Sequence, residues 1–404
     1  MARSRRRYEL RHPELNRLVD ELVERTEEVY GPSTCSDEIR QILVSALRLA
    51  RDGADRGDVK LVNNALKELR HAFRVFEPYR NHRKVAVFGS ARTTPAQPEY
   101  EAARVFAERV VREGWMVITG AGGGIMGAAQ GGAGRERSFG VNIRLPFEQS
   151  ANEVIAGDPK LINFRYFFTR KVSFVKEAHA IALFPGGFGT HDEGFEALTL
   201  IQTGKSEILP VVFVDARGGS YWKDWEQYVH SHLHRGGLIS DEDLSLFKVT
   251  DDVEVAVREV TDFYRNYHSS RYRGDRLHLR VRVAPDPAQL EDLADRFGDI
   301  CTQGSLELTR ADLLDEPTGE SLPAVSLRFD RRSVGRLRQL IDELNRMVPE
   351  RPVEPVPAIP HEIWPRELSP EDEAEEQDEE GPPPTVRRGA GPGRRSRRGP
   401  RRAP

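Results

Sequence analysis

The stretch from Pro185 to Glu193 combines three glycines with ionisable side chains and is the part of the sequence best suited to chemistry. It reads Pro-Gly-Gly-Phe-Gly-Thr-His-Asp-Glu and follows the apolar run 180–184, which is typical of a buried parallel strand. Apolar residues at helical spacing come next, so the glycines lie on a strand-to-helix turn. Such a turn favours an anion such as phosphate, because free N–H groups and the positive end of a helix dipole face it. Glu193 would repel that anion, so we expect it to act on another part of the ligand.

Two further glycine turns follow predicted strands, one after the apolar run that starts at Val85 and one after the run that starts at Met116. The carboxyl ends of parallel strands meet at one edge of a sheet, where ligands bind. One glycine turn usually reflects tight packing, whereas three at matching strand ends favour a phosphate or nucleotide cleft. The residues expected to bind substrate or phosphate are Gly89, Ser90, Gly122, Gly123, Gly124, Met126, Lys171, Gly186, Gly187, Gly189 and Thr190.

Arg170 and Lys171 follow the aromatic residues 166–168, just before the central predicted strand. Aromatic rings there could stack on a flat base while the two cations meet phosphate. The alternative is an exposed cationic pair at the start of a helix whose aromatic side chains belong to the core. The position beside the central strand favours the first interpretation.

Several common cofactor sites do not fit the pattern. The first glycine turn lacks G-x-G-x-x-G, and no Gly-Lys-Ser/Thr follows a glycine run. We therefore do not expect NAD or ATP as the ligand of this sheet. Only Cys35 and Cys301 are present, which gives neither a disulfide framework nor a zinc spacing. We expect no cofactor and no metal.

The 404 residues suggest several domains, and the order of elements predicts their classes. Strands alternating with helices over residues 83–268 predict an α/β fold, a doubly wound parallel (Rossmann-like) sheet. Residues 1–82 read as a helical segment whose apolar stripes face either the next domain or a dimer partner. Residues 274–348 read as a small α+β domain, and 349–404 as a disordered tail that is acidic and then rich in arginine.

The charge is nearly balanced, with 60 Lys and Arg against 64 Asp and Glu, so the whole chain does not point to nucleic acid. The arginine-rich tail could make weak nucleic-acid contacts. Neither a signal peptide nor a stretch of about 18 apolar residues is found, so we expect a cytoplasmic protein without membrane contact.

Four local predictions concern single residues or short segments. Ser36 is expected to cap a helix, and residues 221–267 are expected to be helical, with Tyr221 in a packing stripe. His191 is expected to cap the helix after the glycine turn, or else to titrate near a ligand. Asp192 points to another helix face than Glu193, so we expect a structural or secondary role for it.

With these motifs assembled, residues 83–266 resemble the LOG (Lonely Guy) phosphoribohydrolases, long labelled lysine decarboxylase-like. Residues 185–193 fit the family pattern P-G-G-x-G-T-x-x-E throughout, and Phe168-Thr169-Arg170-Lys171 fits its Arg-Lys motif. The turn at 122–129 resembles its glycine-rich turn, and segments 142–149 and 200–205 resemble its longer bacterial members. Gly127 and Gln130 depart from the family, many members of which have Glu and Asn there.

The resemblance implies hydrolysis of the N-glycosidic bond of a nucleoside 5′-monophosphate, either AMP-like or a cytokinin ribotide, to free base and ribose 5-phosphate. It implies that Arg170 and Glu193 form the catalytic pair and that the enzyme is a homodimer. A carboxylate suits this reaction because it can stabilise an oxocarbenium-like sugar or activate water. The decarboxylase label has little support, since pyridoxal chemistry needs a Schiff-base lysine within a recognisable set of partners. The alternative function is a nucleotide sensor or carrier without catalysis.

Overall fold

A computed structural model describes residues 8–144, 150–311 and 322–349. Its main element is a parallel sheet whose strands are β1 (Lys84–Phe88), β2 (Met116–Thr119), β3 (Ser138–Ile143), β4 (Leu161–Phe164), β5 (Ala180–Leu183), β6 (Val211–Val214) and β7 (Phe247–Thr250). The strands lie in the order β4-β3-β2-β1-β5-β6-β7, and every pairing is parallel. The predicted doubly wound, Rossmann-like α/β fold is therefore confirmed. Strands β4 and β7 were not predicted, because both are short edge strands with mixed polarity.

The helices of the described residues are α1 (Pro13–Tyr30), α2 (Ser36–Arg51), α3 (Arg56–Phe76), α4 (Pro98–Arg112), α5 (Ile125–Ala133), α6 (Phe167–Glu177), α7 (Phe188–Gln202), α8 (Tyr221–Tyr228), α9 (Val253–Asp262), α10 (Pro287–Phe297) and α11 (Val334–Arg346). One face of the sheet is covered by α3, α6, α7 and α8, and the other by α4, α5 and α9. Alternate residues of β1 serve the two sides: Ala86 and Phe88 belong to one core, while Val85 and Val87 belong to the other. Because both faces are buried, the central strands are apolar apart from Lys84 at the start of β1 and Thr119 at the end of β2.

The predicted N-terminal helices form, and α3 helps to position α6, the helix that carries Arg170. The Glu68 carboxylate accepts hydrogen bonds from the Thr169 hydroxyl (2.6 Å) and from the Arg165 N–H (2.8 Å). The predicted cap at Ser36 is wrong, because Ser36 is already the first residue of α2 and its hydroxyl bonds to Glu27 and to the Ser33 carbonyl.

A second, antiparallel sheet consists of β8 (Tyr267–Arg273), β9 (Arg276–Val281), β10 (Glu307–Ala311) and β11 (Leu322–Leu327), in the order β10-β11-β9-β8. This confirms a small α+β region near the C-terminus. The prediction of continuous helix over 221–267 is wrong, since β7 lies inside that range. Strand β8 begins before the expected boundary at residue 274, because its sequence, Tyr-His-Ser-Ser-Arg-Tyr-Arg, is mostly polar and gives no apolar run.

The exact domain bounds remain predictions. Residues 145–149 of the resembling segment 142–149, and residues 350–404 of the predicted tail, lie outside the described residues. Within the described part of the chain, no helix combines the length and apolar content needed to cross a bilayer.

Candidate active site

The candidate site lies where the sheet changes direction, between β1 and β5. From β1 the chain runs outwards through β2, β3 and β4, and then returns to β5 on the other side of β1. The two strand ends are joined by hydrogen bonds from the Phe184 N–H to the Phe88 carbonyl (2.8 Å) and from the Ser90 N–H to the Pro185 carbonyl (3.0 Å). A cavity of about 850 Å³ opens at these ends. Crevices at such switch points are the usual ligand sites of open parallel sheets.

The cavity brings together most of the residues expected from the sequence, namely Gly89, Ser90, Met126, Arg170, Gly186, Gly187, Gly189, Thr190 and Glu193. Phe167, one of the aromatic residues expected to stack on a base, also lines it. Further lining residues were missed or placed elsewhere by sequence reasoning: Arg92, Phe188, His191, Asp192 and Tyr221. Tyr221 was assigned to a packing stripe with Trp222 and Trp225, and only the two tryptophans are buried in this way. Gly122, Gly123, Gly124 and Lys171 do not line this cavity.

The residues Gly186–Gly189, here named the anion turn, present free backbone donors. Helix α7 begins directly after Gly187, whose carbonyl accepts from the N–H groups of Thr190 (3.0 Å) and His191 (3.2 Å). The N–H groups of Gly187, Phe188 and Gly189 have no acceptor among the described residues. Three free donors at the start of a long helix form an anion site.

Two glycines of the anion turn are required neither by packing nor by backbone conformation. A methyl group added at Gly187 or Gly189 would meet no protein atom within 4 Å, and neither residue has a positive φ. Gly187 has φ −86°, a value that any residue adopts. The space beside these glycines is therefore open on the side from which a ligand would approach the backbone.

Tyr221 fixes the direction of the peptide between Gly186 and Gly187. Its hydroxyl donates a hydrogen bond to the Gly186 carbonyl. In a trans peptide the C=O and the N–H point in opposite directions. By holding the Gly186 carbonyl, Tyr221 therefore directs the Gly187 N–H away from itself, towards the anion side of the turn.

His191 supports Tyr221 rather than capping the helix. Its Nε2 lies 2.7 Å from the Tyr221 hydroxyl, and the cap position of α7 is Gly187. The single Tyr221 proton is used on the Gly186 carbonyl, so the His191 Nε2 carries a proton and donates. Burial lowers the pKa of His191 and so favours the neutral ring. The expected capping role of His191 is therefore wrong.

Glu193 is partly buried and electrostatically unusual. Burial raises its pKa to about 7, and the carboxylates of Glu196 and Asp192 act in the same direction. The positive charges of Lys171 and Arg170 oppose the shift without cancelling it. A carboxyl group with a pKa near neutrality can hold or release a proton under physiological conditions, which is a property of catalytic acids and bases.

Lys171 forms ion pairs with two carboxylates of α7 and is therefore not free to bind a phosphate. Its Nζ lies 2.7 Å from the Asp192 carboxylate and 2.6 Å from the Glu196 carboxylate. The structure therefore places Lys171 outside the expected phosphate set. Asp192 takes part in an ion pair, as expected from a structural or secondary role.

Arg170 reaches the cavity from α6 and is positioned by the backbone of β3. Its Nε donates to the Val141 carbonyl (3.0 Å), and its guanidinium lies 5.3 Å from the centre of the Phe174 ring. A methyl group at Gly120 would lie only 2.5 Å from Nη2 of Arg170, so this glycine makes room for the guanidinium. The structure thus brings Arg170 and Glu193 to the same cavity.

The residues Ala121–Gly124, here named the support turn, pack against the chain itself. Ala121 has φ 62° and Gly124 has φ 61°, which is the left-handed region. A methyl group at Gly124 would lie 2.2 Å from the Ser90 carbonyl oxygen. Asn152, which sequence reasoning missed, donates through Nδ2 to the carbonyls of Ala121 (3.0 Å) and Gly122 (2.9 Å). The support turn therefore holds the loop that carries Ser90.

Gln130, one of the two departures from the resembling family, has a structural role. Its Nε2 donates to the Phe139 carbonyl (3.1 Å), and its Oε1 accepts from Asn152 Nδ2 (2.6 Å). Gln130 is fully buried and does not line the cavity. It can therefore affect ligand binding only indirectly, through the support turn.

Comparison with known proteins gives one family match. The family model described as possible lysine decarboxylase matches residues 125–260, which include Arg170 and Glu193. No curated protein matches the chain.

Solved structures with similar folds include the molybdenum cofactor binding protein from the phototrophic bacterium Rippkaea orientalis, with 17% identity and a TM-score of 0.31 over 44% of this chain and 94% of that chain. The structure of TM1055 has 22% identity and a TM-score of 0.32 over 44% and 96%. The molybdenum cofactor carrier protein from Chlamydomonas reinhardtii has 19% identity and a TM-score of 0.31 over 44% and 94%.

Proposed function

We propose that this chain, whose residues 125–260 match the family model described as possible lysine decarboxylase, is a LOG-type enzyme that hydrolyses nucleoside 5′-monophosphates to base and ribose 5-phosphate. One observation carries the proposal: the anion turn and the carboxyl group of Glu193 face the same cavity. An anion site alone would bind a phosphate. A carboxyl group beside it, with a pKa near 7, adds a group that can act on the sugar.

The 5′-phosphate is assigned to the anion turn. The free N–H groups of Gly187, Phe188 and Gly189 donate to its oxygens, with support from the dipole of α7. The Thr190 hydroxyl makes no hydrogen bond within the described residues and is available as a further donor. The missing side chains at Gly187 and Gly189 let the phosphate approach the backbone closely.

Glu193 is assigned to the ribose. As the C1′–N bond breaks, the sugar gains oxocarbenium character, which the ionised carboxylate stabilises. Water supplies the new C1′–O bond and loses a proton to Glu193, which passes that proton on to the nitrogen of the leaving base, so that the carboxylate is regenerated. Arg170 contacts either the phosphate or the leaving base, and both roles use its fixed charge.

The cavity does not suit pyridoxal phosphate, the cofactor that a lysine decarboxylase would use. That cofactor forms a Schiff base with a lysine in its site. Among the described residues that line this cavity there is no lysine, and the nearby Lys171 is held by two carboxylates. We therefore assign no step to such a cofactor.

The test is a panel of AMP, GMP, CMP, UMP and isopentenyl-AMP incubated with the purified chain, with base and ribose 5-phosphate measured by chromatography. We expect release from at least one AMP-like or cytokinin monophosphate and none from the matching nucleoside, which lacks the phosphate. Calorimetric binding of a monophosphate without any base release would instead identify a sensor or carrier.

We further propose that the chain is a cytoplasmic homodimer that associates through α6 and α7. Four apolar side chains on these two helices are 40–53% exposed, namely Phe167, Phe168, Val172 and Phe195. Single exposed apolar side chains are common, but a group of them indicates a surface that binds a partner. Light scattering of the purified chain should give twice the mass of one chain. A monomer at micromolar concentration would remove this part of the proposal.

A further inference from the structure

A second cleft, of about 790 Å³, lies between the parallel sheet and the small antiparallel unit. One wall consists of β7 and α9, and the other consists of α11 and the end of α10. It shares no lining residue with the candidate active-site cavity. Its volume is in the range of sites that bind small molecules.

The cleft carries a local excess of positive charge. Seven Arg and Lys side chains and four Asp and Glu side chains line it among the described residues. Two further carboxylates, Asp292 and Asp299, pair with the lining residues Arg296 and Arg336, so one positive charge is in excess. The whole chain has a net charge of −4. The cleft is therefore locally positive although the whole chain is negative, and a positive cleft attracts anions.

Two of these cations have no charged partner in the described part of the chain. Lys248 on β7 and Arg258 on α9 are exposed and lie on the same wall. Other cations of the cleft are neutralised, as shown by the ion pairs of Arg265 with Asp262 (2.6 Å) and of Arg296 with Glu343 (2.9 Å). The excess charge is thus concentrated at Lys248 and Arg258.

Arg338, on the opposite wall, is buried and incompletely satisfied. Its side chain is 5% exposed and donates to the carboxylates of Glu259 (2.5 Å) and Asp342 (3.0 Å). Its Nη1 is buried without a hydrogen-bond partner. Arg338 therefore joins α11 to α9 through Glu259, and its charge is balanced by the two carboxylates.

We propose that this cleft binds a small molecule that carries a chain of phosphates. A single carboxylate would pair with only one of the two unpaired cations, Lys248 and Arg258, whereas a polyphosphate presents several negative charges within one small ligand. Guanidinium groups pair with phosphate oxygens in a bidentate way, and a lysine adds a point charge. The concave shape and the volume favour a small ligand over an extended nucleic acid.

The experiment is calorimetric titration of the full chain with sodium tripolyphosphate and, in parallel, with ATP. The double variant Lys248→Ala/Arg258→Ala removes the two unpaired cations, and Arg56→Ala/Lys60→Ala removes the same charge from the exposed start of α3. We expect affinity for both probes to fall at least about tenfold in the first variant and to stay within about twofold in the control. Arg338 is left intact, because its removal would leave Glu259 and Asp342 unpaired in a buried place.

Tighter binding of ATP than of tripolyphosphate would show that the cleft also recognises a nucleoside, whereas equal affinities would assign recognition to the phosphates alone. Equal affinities of wild type and Lys248→Ala/Arg258→Ala would place the binding elsewhere, for example at the anion turn, and would overturn the proposal. So would the absence of binding at millimolar concentrations. Either failure would leave the base-release assay of the proposed function unaffected, since neither residue lines the active-site cavity.

Discussion

The anion turn and the support turn have similar sequences but use their glycines differently. At Gly187 and Gly189 the space beside the backbone is empty, and the backbone conformation is ordinary. At Gly124 the same space is filled by the Ser90 carbonyl, and φ is positive. Glycine thus leaves room for a ligand at Gly187 and Gly189 and for the protein itself at Gly124, whereas Gly186 of the anion turn is packed against the Thr190 side chain. The anion turn therefore forms the proposed phosphate site, and the support turn stabilises the loop beside it.

The largest effect is expected from Gly124→Ala in the support turn. A methyl group there would overlap the backbone of Ser90 in a conformation that L residues rarely adopt, so we expect a loss of more than about 3 kcal/mol of unfolding free energy. Gly114→Ala is the matched control, because Gly114 has φ +86° but no atom within 4 Å, and it should lose only about 1 kcal/mol. Urea unfolding measures both. Equal losses would mean that the contact with Ser90 contributes nothing.

Gly187→Ala in the anion turn should leave stability within about 0.5 kcal/mol but weaken nucleotide binding about 10- to 100-fold. The added methyl group meets no protein atom and takes up space that the phosphate needs. Gly131→Ala, on the exposed side of α5 with equally open surroundings, serves as the control and should not change binding. Unchanged affinity of Gly187→Ala would show that the phosphate does not approach this turn.

Glu193→Gln should stabilise the ligand-free chain, by an amount that depends on pH. Because burial raises the folded-state pKa to about 7, the charged carboxylate costs stability as the pH rises from the unfolded value of 4.5 to 7. Allowing for partial exposure, we expect a gain of about 1–2 kcal/mol at pH 8 and none below about pH 4.5. Thermal unfolding at these two pH values tests the prediction, which a pH-independent difference would contradict.

The smallest effect is expected from Tyr221→Phe, which loses the hydrogen bond to the Gly186 carbonyl without emptying the site. A loss of about 1 kcal/mol in orienting the anion turn corresponds to a KM about fivefold higher, with kcat changed less. Tyr228→Phe is the control, since Tyr228 lies at the end of the same helix, is half exposed and does not line the cavity. The same KM in both variants would remove the positioning role of Tyr221.

The sequence predicts the central sheet because β1, β2, β5 and β6 are buried on both faces and therefore consist almost entirely of apolar residues. It does not predict β4, β7 or β8, because their own sequences lack an apolar run. These segments become strands by pairing with neighbouring strands of their sheets. In the site, glycine turns at strand ends indicate Gly187 and Glu193 from local pattern alone. Tyr221 and Asn152 could not be found in this way, because each acts on a turn about 30 or more residues away in the chain.

Lys171 shows the limit of motif reasoning most clearly. A lysine beside Arg170 looks available for phosphate, yet two carboxylates one turn apart on α7 hold its ammonium group. Those carboxylates were visible in the sequence, but their distance from Lys171 depends on how α6 packs beside α7. Only the folded structure distinguishes a cation that forms ion pairs beside Glu193 from one that contacts the ligand.

The most direct test of the central claim compares Glu193→Gln with Asp192→Asn in binding AMP, or the best monophosphate of the panel, and in releasing ribose 5-phosphate from it. We expect Glu193→Gln to bind within a few-fold of wild type but to release product about 10² to 10⁴ times more slowly. Asp192→Asn, which removes the neighbouring carboxylate of the Lys171 ion pair, should lose less than about tenfold. Release by Glu193→Gln at the wild-type rate would contradict the account, because the carboxyl group would then have no part in breaking the bond.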